Sequence, residues 1–146
     1  MTILDAYAVL ALLKAEPGAP MVRDLLNGAE SPRLTAVGIA EVVDHLVRRC
    51  GVDEDDAALD VAQLGLTNSV RIDAPVAMRA GMLRARHYHR RDRAVSLADC
   101  LVAASAQVEG AAVVSADSHL LALCHDEQIR VIVLPDSGGR TWAPPA

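Results

Sequence analysis

The sequence predicts an α/β fold of three layers, a central parallel sheet of four to five strands flanked by helices. Three observations carry this. Short apolar runs without polar alternation, Ile3-Leu4, Ala111-Ala112-Val113-Val114 and Val131-Ile132-Val133-Leu134, read as strands covered on both faces. Helical apolar patterns stand between them, as in βαβ units with right-handed crossovers. Hydrophobic residues make up 52% of the chain but aromatics only 2%, with no Phe, so the core is one of Ala, Val and Leu packed by close helix–sheet contact. A length of 146 residues fits one domain. That domain is expected over residues 1–134, followed by an irregular Gly- and Pro-rich tail over 135–146 in which the place of Trp142 is open.

In chain order, Ile3-Leu4 forms the first strand and Ala6 to Leu13 the first helix, with Asp5 at the switch between them. Glu16-Pro17-Gly18-Ala19-Pro20 is a turn, and Met21 to Leu26 a short helix ending near Asn27-Gly28. Arg33-Leu34-Thr35 is a brief strand candidate. Ala36 to Arg49 is a helix with Ile39, Val42, Val43 and Leu46 on one face, closed by Cys50-Gly51. Asp53-Glu54-Asp55-Asp56 opens a helix to about Leu64, its acids favouring the helix dipole. Ser69 to Ile72 is a further strand candidate, Pro75 starts a helix to about Arg90, and Ser96 one through Val108 ended by Gly110. Asp117 to Cys124 is helical and precedes the last strand.

Composition sets limits on function. A net charge of −5 argues against a generally basic nucleic-acid binder, so a nucleic-acid role needs a local patch. All the basic residues but Lys14 are Arg, the side chain suited to forked phosphate contacts. Cys50, Cys100 and Cys124 are odd in number, far apart and match no zinc spacing, which reads as buried free thiols in a reducing cytosol. No secretory leader and no membrane-crossing run is visible, so a cytoplasmic protein is expected.

Four acids carry the chemistry, and each has two open readings. Asp5 and Asp117 follow apolar strands at helix starts; each is a natural N-cap, and each also lies at the strand end where open α/β sheets bind ligands. Asp99 heads an otherwise apolar helix, where it completes a capping box with Ser96 or stands as an acid near the core. Glu41 lies opposite the apolar stripe of its helix as an ordinary solvated acid, with Asp44 one turn on. In a parallel sheet the strand carboxyl ends share one edge, so Asp5, Asp99 and Asp117 converge. Two carboxylates about 4 Å apart repel by about 4 kcal/mol at an effective dielectric near 20. Such a cluster requires raised pKa values or a bound cation, and oxygen-only ligands suit Mg²⁺ or Mn²⁺ rather than zinc.

Taken in order, Leu4-Asp5 with Ala8-Val9-Leu10-Ala11-Leu12-Leu13, Ile39-Ala40-Glu41-Val42-Val43-Asp44, Ser96-Leu97-Ala98-Asp99 and Val113-Val114-Ser115-Ala116-Asp117 resemble the PIN-domain ribonucleases, and within them the VapC-type toxins of toxin–antitoxin pairs. The resemblance runs over almost the whole chain. It implies a PIN-like fold in which Asp5, Glu41, Asp99 and Asp117 are the catalytic quartet holding Mg²⁺ or Mn²⁺, with Ser115 supporting them. It also implies hydrolysis of RNA phosphodiester bonds, a cognate antitoxin and a homodimer. Ala6-Tyr7 stands where the family has hydroxyl residues after the first acid.

The stretch Arg84 to Arg93 holds Arg84, Arg86, Arg90, Arg91 and Arg93 just before the Asp99 motif. It reads either as an RNA grip, with Tyr88 stacking on a base, or as a solvated helix end favoured by the dipole. The five histidines are unpaired at metal spacing and read as surface or hydrogen-bonded groups. The leading expectation is a metal-dependent endoribonuclease toxin. The alternative is a catalytically weakened PIN-like module, altered at Ala6-Tyr7, that binds a protein partner. A phosphatase using Asp5 as nucleophile ranks last, because Tyr7 stands where a second Asp is wanted.

Overall fold

A computed structural model describes residues 1–146. Its elements are β1 (Thr2–Leu4), α1 (Ala6–Leu13), α2 (Ala19–Asn27), β2 (Pro32–Arg33), α3 (Ala36–Asp44), a π-helical turn (His45–Arg49), α4 (Glu54–Gln63), α5 (Ala74–His87), α6 (Leu97–Glu109), β3 (Ala112–Ser115), α7 (Ser118–Asp126) and β4 (Val131–Val133). The strands form one four-stranded sheet in the order β2-β1-β3-β4, every pair parallel.

Strand periodicity sorts the core into two halves. Ile3 and Val113 point to one face, where they meet Leu83 of α5, Val102 and Ala103 of α6 and Leu120 of α7. Their neighbours Leu4 and Val114 point to the other face and meet Val9 of α1, Val42 of α3 and Val61 of α4. Helices therefore cover both faces, which is why these strands carry no polar alternation. Leu120 is fully buried. Leu120→Ala is expected to lower unfolding free energy by about 2–5 kcal/mol in urea titration.

Strand order also locates the functional edge. From β1 the chain goes to β2 on one side, then crosses to β3 on the other. The switch point, where open α/β sheets bind ligands, lies between β1 and β3 at their carboxyl ends. Leu4 pairs with Val114, and the Asp5 amide donates to the Val114 carbonyl at 3.1 Å. That register carries Asp5 beside Ser115.

The structure departs from the sequence expectations at four places. Ser69–Ile72 is not a strand: only Val70 pairs, as an isolated parallel bridge to Thr35. Asp73 caps α5 three residues later through the Val76 amide, which turns the chain away from the sheet edge. The helix from Ala36 does not stay α to Arg49 but ends in the π-helical turn. Helix α5 stops at His87 rather than Arg90, because His89 and Arg93 close an antiparallel turn in which the His89 ring accepts from the Arg91 and Asp92 amides. Cys50 is exposed at the end of the π-helical turn, whereas Cys100 and Cys124 are buried free thiols.

After β4, Asp136 accepts from the Gly138 and Arg140 amides through Oδ1, forming a compact turn over the carboxyl ends of the strands. Trp142 is half-buried, packed edge-on against His125 with ring centroids 6.3 Å apart. No helix is long and apolar enough to cross a membrane.

Candidate active site

At the switch point lies a cleft of about 490 Å³. Asp5, Glu41, Asp99 and Asp117, widely separated in sequence, all line it. Ser115 lies behind, fully buried. The local cap and the shared cleft prove compatible, because the caps of Asp99 and Asp117 each leave one carboxylate oxygen free.

Asp5 ends β1 and caps α1, its Oδ1 accepting from the Ala8 amide at 2.8 Å. Oδ2 accepts from the Ser115 hydroxyl, and the same hydroxyl oxygen accepts from the Asp117 amide at 2.9 Å. Ser115 therefore ties the first acid to the backbone of the last. Only 5% of Asp5 is exposed. Desolvation pushes its carboxyl up to about 7, partly offset by the Ser115 and Ala8 hydrogen bonds and reinforced by the charges of Asp99 and Asp117.

Asp99 sits in the capping box of α6: its amide donates to Ser96 Oγ and its Oδ2 accepts from the Ser96 amide at 2.9 Å. Its Oδ1 carries no protein hydrogen bond. Burial raises its pKa, with Asp117 adding to the rise. Asp117 caps α7 with Oδ1, which accepts from the His119 and Leu120 amides, and its Oδ2 remains uncommitted. Glu41 stands at the exposed rim on α3; desolvation, then the charge of Asp99, raises its pKa. Ser96→Ala removes half of the capping box and is expected to cost about 1 kcal/mol, read as a lower midpoint in thermal unfolding.

The acids share cleft walls but not one coordination sphere: no three His, Cys, Asp or Glu side chains are gathered at ion-holding distance. The donor set is nevertheless the one a hard divalent cation takes. It is all oxygen, burial raises the pKa of three of its members, and free carboxylate oxygens remain on Asp99 and Asp117. The residues present fit Mg²⁺ or Mn²⁺.

The basic stretch lies elsewhere. None of Arg84, Arg86, Arg90, Arg91 and Arg93 lines the cleft. Arg84 donates to the Val95 carbonyl at 3.0 Å and stacks on Tyr88 at 4.4 Å. Arg86 and His87 both pair with Glu127, at 2.5 and 2.6 Å, and Arg93 pairs with Asp126 at 3.1 Å. Arg90 and Arg91 are exposed.

The cleft contains groups that sequence reasoning left out of the site. Asp44, His45 and Arg48 lie on the same wall as Glu41. Their spacing of three, four and seven residues from Glu41 is a helical face, a signal present in the sequence. Asp136 and Ser137 reach the cleft from the turn after β4. Tyr7 also lines it, with a hydroxyl that is buried without a hydrogen bond and pushed up to about 12 by burial, Glu16 and Asp136. The hydroxyl that orients Asp5 comes from Ser115, not from Tyr7.

A family model described as PIN domain matches residues 2–126. No curated protein matches the chain in sequence. Among solved structures, FitAcB from Neisseria gonorrhoeae superposes with a TM-score of 0.65 at 18% identity, covering 90% of this chain and 96% of that one. VapC20 from Mycobacterium tuberculosis, described as a sarcin-ricin loop cleaving toxin, gives 0.66 at 16% identity, covering 84% and 94%. VapBC2 from Rickettsia felis, bound to a DNA fragment from its promoter, gives 0.65 at 15% identity, covering 90% and 96%.

Proposed function

The chain belongs to the PIN-domain family, and from that premise we propose that it is an Mg²⁺- or Mn²⁺-dependent endoribonuclease toxin restrained by a cognate antitoxin. The observation that carries this reading is the meeting of Asp5, Glu41, Asp99 and Asp117 in one cleft at the β1–β3 switch point. Asp5 and Asp99 are the principal ligands, and Glu41 and Asp117 complete the set from the rim. When bound, a divalent ion supplies a bound water of lowered pKa and offsets charge on the phosphate. Ser115 holds Asp5 in place from β3 and fixes the entry of the Asp117 loop, so the two acids keep their separation. Asp136 and Ser137 line the cleft from the turn after β4.

The antitoxin reading is supported by the complexes among the solved structures of the same fold, a toxin–antitoxin complex from Klebsiella pneumoniae among them. A homodimer in the cytoplasm is part of the same proposal. The experiment incubates purified protein with total RNA in Mn²⁺, in Mg²⁺ and in EDTA, and maps new RNA ends. Cleavage that requires the metal is the expected result. No cleavage in either metal rejects the nuclease reading.

One observation favours a second reading, a weakened PIN-like module that binds a protein partner: no three carboxylates stand at ion-holding distance. That reading requires Mn²⁺ titration in a calorimeter to show no heat of binding, as well as intact RNA.

A further inference from the structure

The wall of α3 holds a cation that the metal and its acids do not account for. Six carboxylates line the cleft: Asp5, Glu41, Asp44, Asp99, Asp117 and Asp136. Against them stand only His45 and Arg48, both from the π-helical turn. His45 is held below its ordinary pKa by desolvation and by the neighbouring cations Lys14, Arg49 and Arg48. Arg48 is therefore the one permanent cation on the cleft wall, in a place that a polyanion must enter.

The guanidinium is aimed rather than loose. Its Nε donates to Asp44 Oδ1 at 3.0 Å and its Nη2 to Asp44 Oδ2 at 2.9 Å, a two-point fork. Nη1 makes no hydrogen bond, so a second donor edge is left over. The side chain is 63% exposed, and an exposed ion pair of this kind adds little stability. What the fork does is hold a planar donor at the cleft, and π-helical turns are frequent at functional positions. The fork holds the guanidinium at Asp44, one helical turn or roughly 4.5 Å along the axis from Glu41.

We propose that Arg48 is a substrate-positioning residue: its free guanidinium edge grips a backbone phosphate of the RNA strand, displaced along the strand from the phosphate at the acids. Asp44 orients the guanidinium from its other edge and leaves that one free. The inference rests on the ribonuclease reading and adds the contact that sets the path of the strand across α3. The basic stretch from Arg84 to Arg93 is not required for it.

The test measures RNA cleavage by wild type, Arg48→Ala, Arg48→Lys and Asp44→Asn in Mn²⁺. It also measures binding of a single-stranded RNA oligonucleotide to the Asp5→Asn and Asp5→Asn/Arg48→Ala proteins across a salt series. Arg48→Ala is expected to raise KM about tenfold with kcat within about twofold. Arg48→Lys recovers part of the loss, because a point charge replaces a fork. The double variant is expected to bind RNA about tenfold more weakly, with the slope of log K against log salt reduced by about 0.7, the value for one phosphate contact on a single strand. Asp44→Asn keeps a neutral acceptor for the fork and is expected to raise KM less than Arg48→Ala. An unchanged KM and salt slope in a cleaving protein overturns the role of Arg48 alone. An Asp44→Asn variant that matches Arg48→Ala overturns it too, by showing that the ion pair is what matters. Failure of wild type to cleave RNA overturns the nuclease reading and this inference with it.

Discussion

Asp5→Asn and Asp99→Asn are each expected to reduce metal-dependent RNA cleavage by on the order of a thousandfold while leaving the far-ultraviolet circular dichroism unchanged. The substitutions are chosen to separate charge from cap. Asn is as good an N-cap as Asp, and its carbonyl oxygen can accept from the Ala8 amide as Asp5 Oδ1 does. At position 99 the Asn carbonyl oxygen replaces Oδ2 as acceptor for the Ser96 amide. What each change removes is the negative charge and one hard oxygen donor. Loss of cleavage with a retained fold therefore tracks the carboxylates themselves. Cleavage by the double variant at the wild-type rate would remove both acids from the mechanism.

The metal-free protein is also expected to lose stability as pH rises from about 4 through 7, and Asp5→Asn to abolish most of that loss. Desolvation raises the Asp5 carboxyl in the fold from 3.8 to about 7. Over that interval the folded state binds a proton that the unfolded state has released. Stability then falls with increasing pH, and the contribution, fully present below pH 3.8, is gone above pH 7. Three pKa units correspond to an upper limit of about 4 kcal/mol. Asp99 and Glu41, both raised chiefly by desolvation, act in the same direction. His45 acts oppositely, since its pKa is lowered in the fold, but it is common to both proteins and cancels in the comparison. At pH 8 the metal-free Asp5→Asn protein should thus be the more stable of the two in urea denaturation. Mn²⁺ should narrow that gap: at a hundredfold excess over its Kd it adds about 2.7 kcal/mol to wild type and less to the variant. A wild-type stability that is flat between pH 5 and 8 and indifferent to Mn²⁺ would contradict the assignment of Asp5 as a desolvated ligand.

Local signals in the sequence were strong where a single residue type has a single structural use. The apolar doublet Ile3-Leu4 divides between the two faces of the sheet as an unalternating strand must. Ser96 and Asp99 form the capping box that their spacing implies, and Gly110 ends α6 in the left-handed conformation at φ 64°. Such features depend on neighbours within four residues, so they survive without knowledge of the rest of the chain. Expectations failed where a competing neighbour decided the outcome. The strand candidate Ser69–Ile72 gave way to the Asp73 cap, and the burial expected for Cys50 gave way to its position at the end of the π-helical turn.

The site divides along the same line. From its sequence alone this protein was legible as an α/β chain with acids at strand ends and at the head of an apolar helix, because burial and capping leave periodic traces. Only the tertiary structure decided that β1 and β3 are neighbours, that Ser115 donates to Asp5, and that the α3 wall brings Arg48 into the cleft while the Arg84–Arg93 stretch stays outside it. The reason is physical. Strand order and helix placement are set by the global packing of two cores, and a hydrogen bond between residues 110 positions apart leaves no periodic mark on either of them.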